Sequence, residues 1–261
     1  MTPKLSIITP CLNAKKTIRD TIESVLQQGL DDIEYIIIDG GSNDGTLDII
    51  NEYADTIDVI VSEPDRGISD AFNKGVTLAK GDYIGIVNAD DYYEPNALEA
   101  ILSTALEHHR PDIIHGSLRY VTPEEGEYVE HPNMEHIWRY MSAFHPTMFI
   151  HRTAYESIGM YRLDFHYAMD SEWVHRALSN GLTFAQSQQV ISNMRLGGVS
   201  HKNMRQSLLE FRRSVILHRK YRFLSSYCFI RQLIIQTMIK IPWVKKQRLQ
   251  KRPPEMNKHY P

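Results

Sequence analysis

Cysteine is scarce in this chain: Cys11 and Cys228 are the only two in 261 residues. Two thiols so far apart support neither a disulfide framework nor a thiolate metal site, and they agree with a reducing compartment. Long hydrophobic runs are lacking as well. No apolar stretch reaches the ~18 residues that mark a spanning helix. Met1-Thr2-Pro3-Lys4 leads straight into an apolar strand pattern, so no signal peptide is expected. The first strand pattern is not followed by Gly-X-Gly-X-X-Gly, which argues against a dinucleotide-dependent dehydrogenase. Internal repeats and low-complexity tracts are missing too. Positive charge is sparse in the body of the chain, where residues 1–200 carry 14 Lys and Arg against 30 Asp and Glu, a net charge of −16. Residues 201–261 reverse the balance with 15 against 2, a net of +13. The asymmetry suggests two segments with two jobs. No recognised binding module accompanies the basic charge, so a nucleic-acid partner is not expected.

Alternating strand and helix patterns fill the first half. Leu5–Thr9, Ile33–Ile38, Asp58–Val61 and Tyr83–Val87 read as strands. Helical spacing joins Ile18, Ile22, Val25 and Leu26, then Leu47 to Tyr53, Ile68–Leu78 and Ala97–His108. Near-continuous β-branched runs separated by helices predict an α/β fold whose mostly parallel sheet is covered on both faces. From about residue 110 the pattern becomes mixed. Longer strands are expected at 113–121 and 128–130 around a Pro-Glu-Glu-Gly turn, then a strand at 148–151 and helices at 153–158 and 169–179. In the basic segment, apolar positions 230, 233, 234 and 238 share one helix face, and Trp243 precedes Lys245, Lys246, Arg248, Lys251 and Arg252. That combination suits a helix lying on an anionic membrane surface, or one packed on its own domain or a second subunit.

In open parallel sheets, ligands bind at the carboxyl ends of the strands, and the polar motifs fall there. Asn88-Ala89-Asp90-Asp91 follows an apolar strand. Two adjacent carboxylates repel and raise each other's pKa. A hard divalent cation with oxygen ligands relieves that repulsion; a solvated turn ahead of Pro95 is the plainer alternative. Asp39-Gly40-Gly41-Ser42 ends the second strand, where paired glycines allow close backbone approach and Asp39 can accept from a base or ribose. Asp44 or Ser42 can equally cap the following helix. Arg66 suits a diphosphate or a neighbouring carboxylate, and Asp70 suits a sugar hydroxyl or the positive end of its helix. Thr9-Pro10 follows the first strand, with the proline expected to end it. Trp138, Tyr140 and Trp173 can stack on sugars, although core packing is the commoner use of such rings.

The ordered set Thr9-Pro10, Asp39–Thr46, Glu63–Gly75, Asn88–Asp91, His145–Ile150 and Ala168–Trp173 resembles glycosyltransferase family 2 over about residues 4–200. The Gly-Gly forms resemble a branch associated with bacterial surface polysaccharides, including colanic-acid-type transferases. The resemblance implies a GT-A fold, a nucleotide-diphosphate sugar donor, and Mn2+ or Mg2+. By position, it assigns the metal and diphosphate motif to Asp90 and Asp91 and the catalytic base to Asp170. Thr9, Pro10, Asp39, Gly40, Gly41, Arg66, Asp70, Asn88, Ala89 and Asp90 fall to the nucleotide sugar. His145 and Trp173 fall on the acceptor side, and His201 to a further metal or diphosphate contact. Three positions depart from the family pattern. Asn88 stands where many members have Asp, Gly40 where many have a second Asp that reads the base, and Met169 where Glu usually precedes the base.

On this reading the donor half spans 1–110, the acceptor half 111–200, and a basic helical extension 201–261 holds the protein at the inner face of the cell membrane. An acceptor hydroxyl of a lipid-linked glycan attacks C1 in line, Asp170 takes its proton, and the configuration inverts. A non-catalytic nucleotide-binding partner of the same fold is the alternative.

Overall fold

The computed structural model describes residues 4–122, 126–195 and 203–219. The first half alternates as expected: β1 (Leu5–Cys11), α1 (Ile18–Leu26), β2 (Ile33–Asp39), α2 (Thr46–Asn51), β3 (Val59–Ser62), α3 (Ile68–Leu78) and β4 (Tyr83–Ile86). A two-residue strand β5 (Tyr92–Tyr93) and α4 (Ala97–Glu107) follow. The rest of the chain adds β6 (Ile113–Thr122), β7 (Gly126–Glu130), β8 (Phe149–His151), α5 (Arg152–Ile158), α6 (Met169–Ser179), β9 (Phe184–Arg195) and α7 (Met204–Arg219).

These strands form one sheet in the order β3-β2-β1-β4-β8-β6-β9-β5, with β7 on β6. The contacts of β1 with β2 and β4, and of β2 with β3, are parallel. Antiparallel β8 joins β4 to β6. Alternation along each strand divides the core between two faces. Ile8, Ile36 and Ile38 pack with Phe72 and Trp173 on one side. Leu5, Ile7, Tyr35 and Ile37 pack with Ile22 and Leu98 on the other. Both faces are therefore covered, as β-branched runs of this kind require.

Two details depart from the sequence reading. Pro10 does not end β1: the strand runs on to Cys11, and Pro10 sits opposite Ile38 of β2. Pairing with β4 stops at Ile8, so Pro10 lies where β1 has one neighbour and a missing N–H breaks no ladder. The twelve residues of β9 form an inner strand, although Gln186, Gln188 and Gln189 hid it from a reading based on apolar alternation.

At the end of the sheet remote from the motifs, Gly81 donates to Ser6 Oγ at 2.8 Å, and Ser6 Oγ donates to Glu34 at 2.6 Å. A Cβ on Gly81 would stand 2.5 Å from the Ser6 backbone nitrogen. Gly81→Ala is therefore expected to cost about 1–3 kcal/mol as overpacking against rigid backbone. A urea melt measures that loss.

Candidate active site

The ends of β1, β2, β3 and β4 bring the polar motifs to one edge of the sheet. Asp39 closes β2 and is fully buried. Ser42 Oγ donates to it at 2.5 Å, Ser62 Oγ at 2.7 Å, and the Ser42 N–H at 3.1 Å. Burial pushes its carboxyl up, but these donors outweigh burial and hold it below the usual carboxylate range. Asp39 thus organises its own loop, and Gly40 and Gly41 present backbone beside it. A Cβ at Gly40 would lie 2.6 Å from Asp65 Oδ2. The Asp65 carboxylate fills the room that a side chain at position 40 would need. Lys74 of α3 fixes this carboxylate at 2.7 Å and Glu63 at 2.9 Å. On the other side, Asn13 has a left-handed backbone at φ 52 and accepts the Asn43 N–H at 3.0 Å, which ties the β1 and β2 loops together. Thr9 is buried with its hydroxyl 3.0 Å from the Tyr35 hydroxyl, beneath the loops.

Asp70 has a local partner. The Arg66 guanidinium lies 2.8 Å from its carboxylate and the Arg66 N–H donates to it at 3.1 Å. Those bonds hold the Asp70 carboxyl below its ordinary range. Asp70 therefore braces the first turn of α3 and presents Arg66, whose side chain is 75% exposed.

The acidic pair after β4 is divided. Asp90 is half-buried, whereas Asp91 is 1% exposed. Burial, then the charge of Asp90, push the Asp91 carboxyl well above the ordinary value. It accepts the Arg195 N–H at 3.3 Å and the Asn88 side-chain amide at 3.4 Å. Asp91 faces inward and supports the turn, and Asp90 is the more accessible of the two carboxylates. Arg195 was not singled out from the sequence. It ends β9, donates to the Asp90 carbonyl at 3.1 Å, pairs with Asp20 at 2.5 Å and lies over the Tyr92 ring at 4.8 Å. Its signal was faint, because its partners lie about a hundred residues or more away.

The second half meets this edge through α3. Ser69 Oγ donates to the Phe165 carbonyl at 2.9 Å, and the Phe72 ring stacks on His145 at 4.9 Å. Asp170 then opens α6, half-buried, with the Ser171 N–H donating to it at 2.7 Å. Burial raises the Asp170 carboxyl; Ser171 opposes the shift, and the charge of Glu210 adds to it. Met169, in place of the family's Glu, turns into the core. His145 is 9% exposed, and burial lowers its imidazole to about 4, so it is neutral at neutral pH.

Trp173 departs from the acceptor-side expectation. It is wholly buried, its indole N–H donates to the Gly159 carbonyl at 2.9 Å, and its ring lies against Tyr155. It packs the core and lines no open acceptor surface. Trp138 likewise stacks on His175 at 4.5 Å. His201 and the apolar-basic stretch from 230 lie outside the described residues. The described start of the basic segment, α7, packs on α6. Among the described residues no helix is long and apolar enough to cross a membrane.

A mostly parallel sheet with this strand order and its polar loops gathered at one edge defines the GT-A class of α/β proteins. The chain belongs to glycosyl transferase family 2, whose model matches residues 6–169. It is 30% identical over 207 residues to a PGL/p-HBAD biosynthesis glycosyltransferase of Mycobacterium bovis, covering 76% of this chain and 80% of that protein. It is 38% identical over 124 residues to the chondroitin synthase of Pasteurella multocida, covering 47% of this chain and 13% of that protein. The crystal structure of S. aureus TarS 1-349 superposes with a TM-score of 0.65 at 18% identity, over 87% of this chain and 69% of that one. The mannosyltransferase PcManGT from Pyrobaculum calidifontis, in complex with GDP-Man and Mn2+, gives 0.62 at 16% identity, over 93% and 76%. The chain is a glycosyltransferase with relatives in polysaccharide synthesis.

Proposed function

We propose that this glycosyltransferase moves a monosaccharide from a nucleotide-diphosphate sugar to a hydroxyl of a lipid-linked glycan, with inversion at C1. The observation that carries the reading is Asp170. It is a half-buried carboxylate whose pKa burial raises, at the start of α6, just after the segment whose Phe165 carbonyl accepts from Ser69 of α3. Its neighbours Met169 and Trp173 turn into the hydrophobic core. Structural relatives captured with UDP-GlcNAc or with GDP-Man and Mn2+ support a nucleotide-sugar donor.

The donor set at the end of β4 fits a hard cation shared with a diphosphate. Asp90 offers a half-exposed anionic oxygen and Asn88 a neutral carbonyl, and no cluster of three His, Cys, Asp or Glu forms a closed cage among the described residues. Mg2+ and similar ions bind in this way, through one or two carboxylates with phosphates and water completing the shell. When bound, such an ion neutralises the diphosphate and stabilises charge building on the leaving group. The loops at Asp39–Ser42 and Glu63–Arg66 hold the nucleoside, and Arg66 adds positive charge. Asp170 accepts the acceptor hydroxyl proton as that oxygen attacks C1 from the face opposite the diphosphate. One proton moves to the carboxylate, one C–O bond forms and one breaks. We assign the membrane contact to the basic segment beyond α7.

A thermal-shift panel of UDP, GDP, CMP and dTDP, with and without manganese, tests the site. Near 100 times Kd, one nucleotide should add ~2.7 kcal/mol, on the order of 5–10 °C for a chain of this size. Asp90→Ala is expected to abolish the manganese-dependent part of the shift. A full manganese effect in that variant would place the ion elsewhere.

A further inference from the structure

Three consecutive backbone N–H groups converge on one carboxylate. His166, Tyr167 and Ala168 donate to Glu210 Oε2 at 2.9, 2.8 and 3.0 Å, and His166 reaches Oε1 at 3.0 Å. This run leads directly into α6. The N-cap of α6 is Ala168, whose side chain has no acceptor to offer. A helix start leaves N–H groups without intrahelical partners. Here a carboxylate from α7 takes up the N–H groups just ahead of that start.

Glu210 does not act alone on this loop. Arg213, on the same face of α7, pairs with the Asp164 carboxylate, donates to its carbonyl at 2.9 Å and lies 4.6 Å over the Phe165 ring. Further along that face, Ser214 Oγ is 2.7 Å from His175 Nδ1, and His218 Nε2 is 2.9 Å from Glu172. Positions 210, 213, 214 and 218 recur at the spacing of one helix face. Residues 164–168 are therefore held from α7, while Ser69 of α3 holds Phe165 from the other side. Asp170 accepts from its own neighbour Ser171, so its place in space follows from the turn that carries it.

We propose that Glu210 is a positioning residue for Asp170: through the N–H groups of residues 166–168 it fixes the helix turn that carries the base. The proposal rests on the reading of Asp170 as base. A reacting group misplaced by ~1 Å can lose on the order of 10²-fold in rate. Without the carboxylate, three N–H groups lose a shared acceptor and α6 loses its tie to α7 at the point nearest the base. The first helix of the basic segment thereby belongs to the catalytic unit.

The test compares Glu210→Ala and Glu210→Gln in the full chain. Hydrogen exchange followed by mass spectrometry reads the loop without any substrate. Amides in the peptide covering 166–170 are expected to exchange at least about tenfold faster in Glu210→Ala, with Glu210→Gln between it and the parent. In transfer assays kcat falls on the order of 10–100-fold, while nucleotide affinity stays at the parental value and Glu210→Gln recovers part of the rate. Unchanged exchange in Glu210→Ala overturns the proposal. So does a loss in which melting temperature, nucleotide affinity and kcat all decline together, because that describes general destabilisation. If Glu210→Ala does not fold, Glu210→Gln supplies the same readouts. Asp170→Asn runs alongside. Transfer surviving in that variant removes the base reading, whereas the exchange result still decides whether Glu210 holds the loop.

Discussion

Replacing Asp170 with Asn is expected to lower sugar transfer by ~10²–10⁴-fold, the range for a positioned general base. The substitution is close to isosteric. An Asn side-chain oxygen still accepts the Ser171 N–H that Asp170 holds at 2.7 Å, so the first turn of α6 keeps its geometry. What disappears is the capacity to take a proton. The loops proposed to hold the nucleotide follow β1, β2, β3 and β4, and among the described residues they share no hydrogen bond with this side chain, so nucleotide affinity is expected to stay at the parental value. The pH profile gives a second readout. Burial raises the Asp170 carboxyl above its ordinary 3.8, and the base must be ionised to work. Transfer therefore declines as pH falls through that raised value, and the acid limb lies above the ordinary aspartate range. Full activity in Asp170→Asn would move the base to another residue. Loss of nucleotide affinity in the same variant would make Asp170 a structural residue.

The parallel half was legible because its signal is local. Ile33–Ile38 and Tyr83–Val87 are apolar runs bounded by polar turns, and each became a strand within a residue or two of its expected limits. Motifs at the ends of those strands were legible for the same reason, since topology alone carries them to one edge. The missed features depend on partners distant in sequence. Arg195 meets Asp20 and Asp90, and Glu210 meets amides more than forty residues before it. No window of sequence contains both ends of such a contact. Burial was the other blind spot. Asp90 and Asp91 are adjacent and chemically identical, yet the turn after β4 leaves one at the surface and encloses the other. Trp173 followed the same logic in reverse: an aromatic next to a base reads as a sugar platform until the fold wraps it in Tyr155 and Tyr161.

Two buried histidines are expected to weaken this fold as pH falls from 6.5 to about 4, against the buried Asp91 and Asp170, whose raised carboxyls take up protons more readily in the folded state and offset part of the loss. His115 and His145 are both buried, and burial lowers each imidazole from 6.5 to about 4. His115 has the harsher setting, because its Nδ1 is buried without a hydrogen-bond partner. In the unfolded chain both rings take protons near 6.5; in the folded chain they resist. The unfolded state therefore binds more protons across that window, and stability increases with pH. The contribution is complete above 6.5 and is lost as pH falls to about 4. At 1.36 kcal/mol per unit, the full loss is about 3–4 kcal/mol for each ring, of which about 2–3 kcal/mol is reached by pH 4.5. Partnered acids such as Asp39 and Asp70 have lowered values, so their share disappears only below the ordinary aspartate range. Urea melts at pH 7 and pH 4.5 measure the whole effect. His115→Leu, similar in volume and unable to titrate, is expected to shrink the difference by about 2–3 kcal/mol. An unchanged difference would show that His115 titrates as it does in water. His145 ties the same physics to activity. Its ring is stacked on Phe72, where α3 meets the half of the chain that carries Asp170. Protonating it places charge in that seam, so acid loosens the packing of α3 on the second half along with the fold itself.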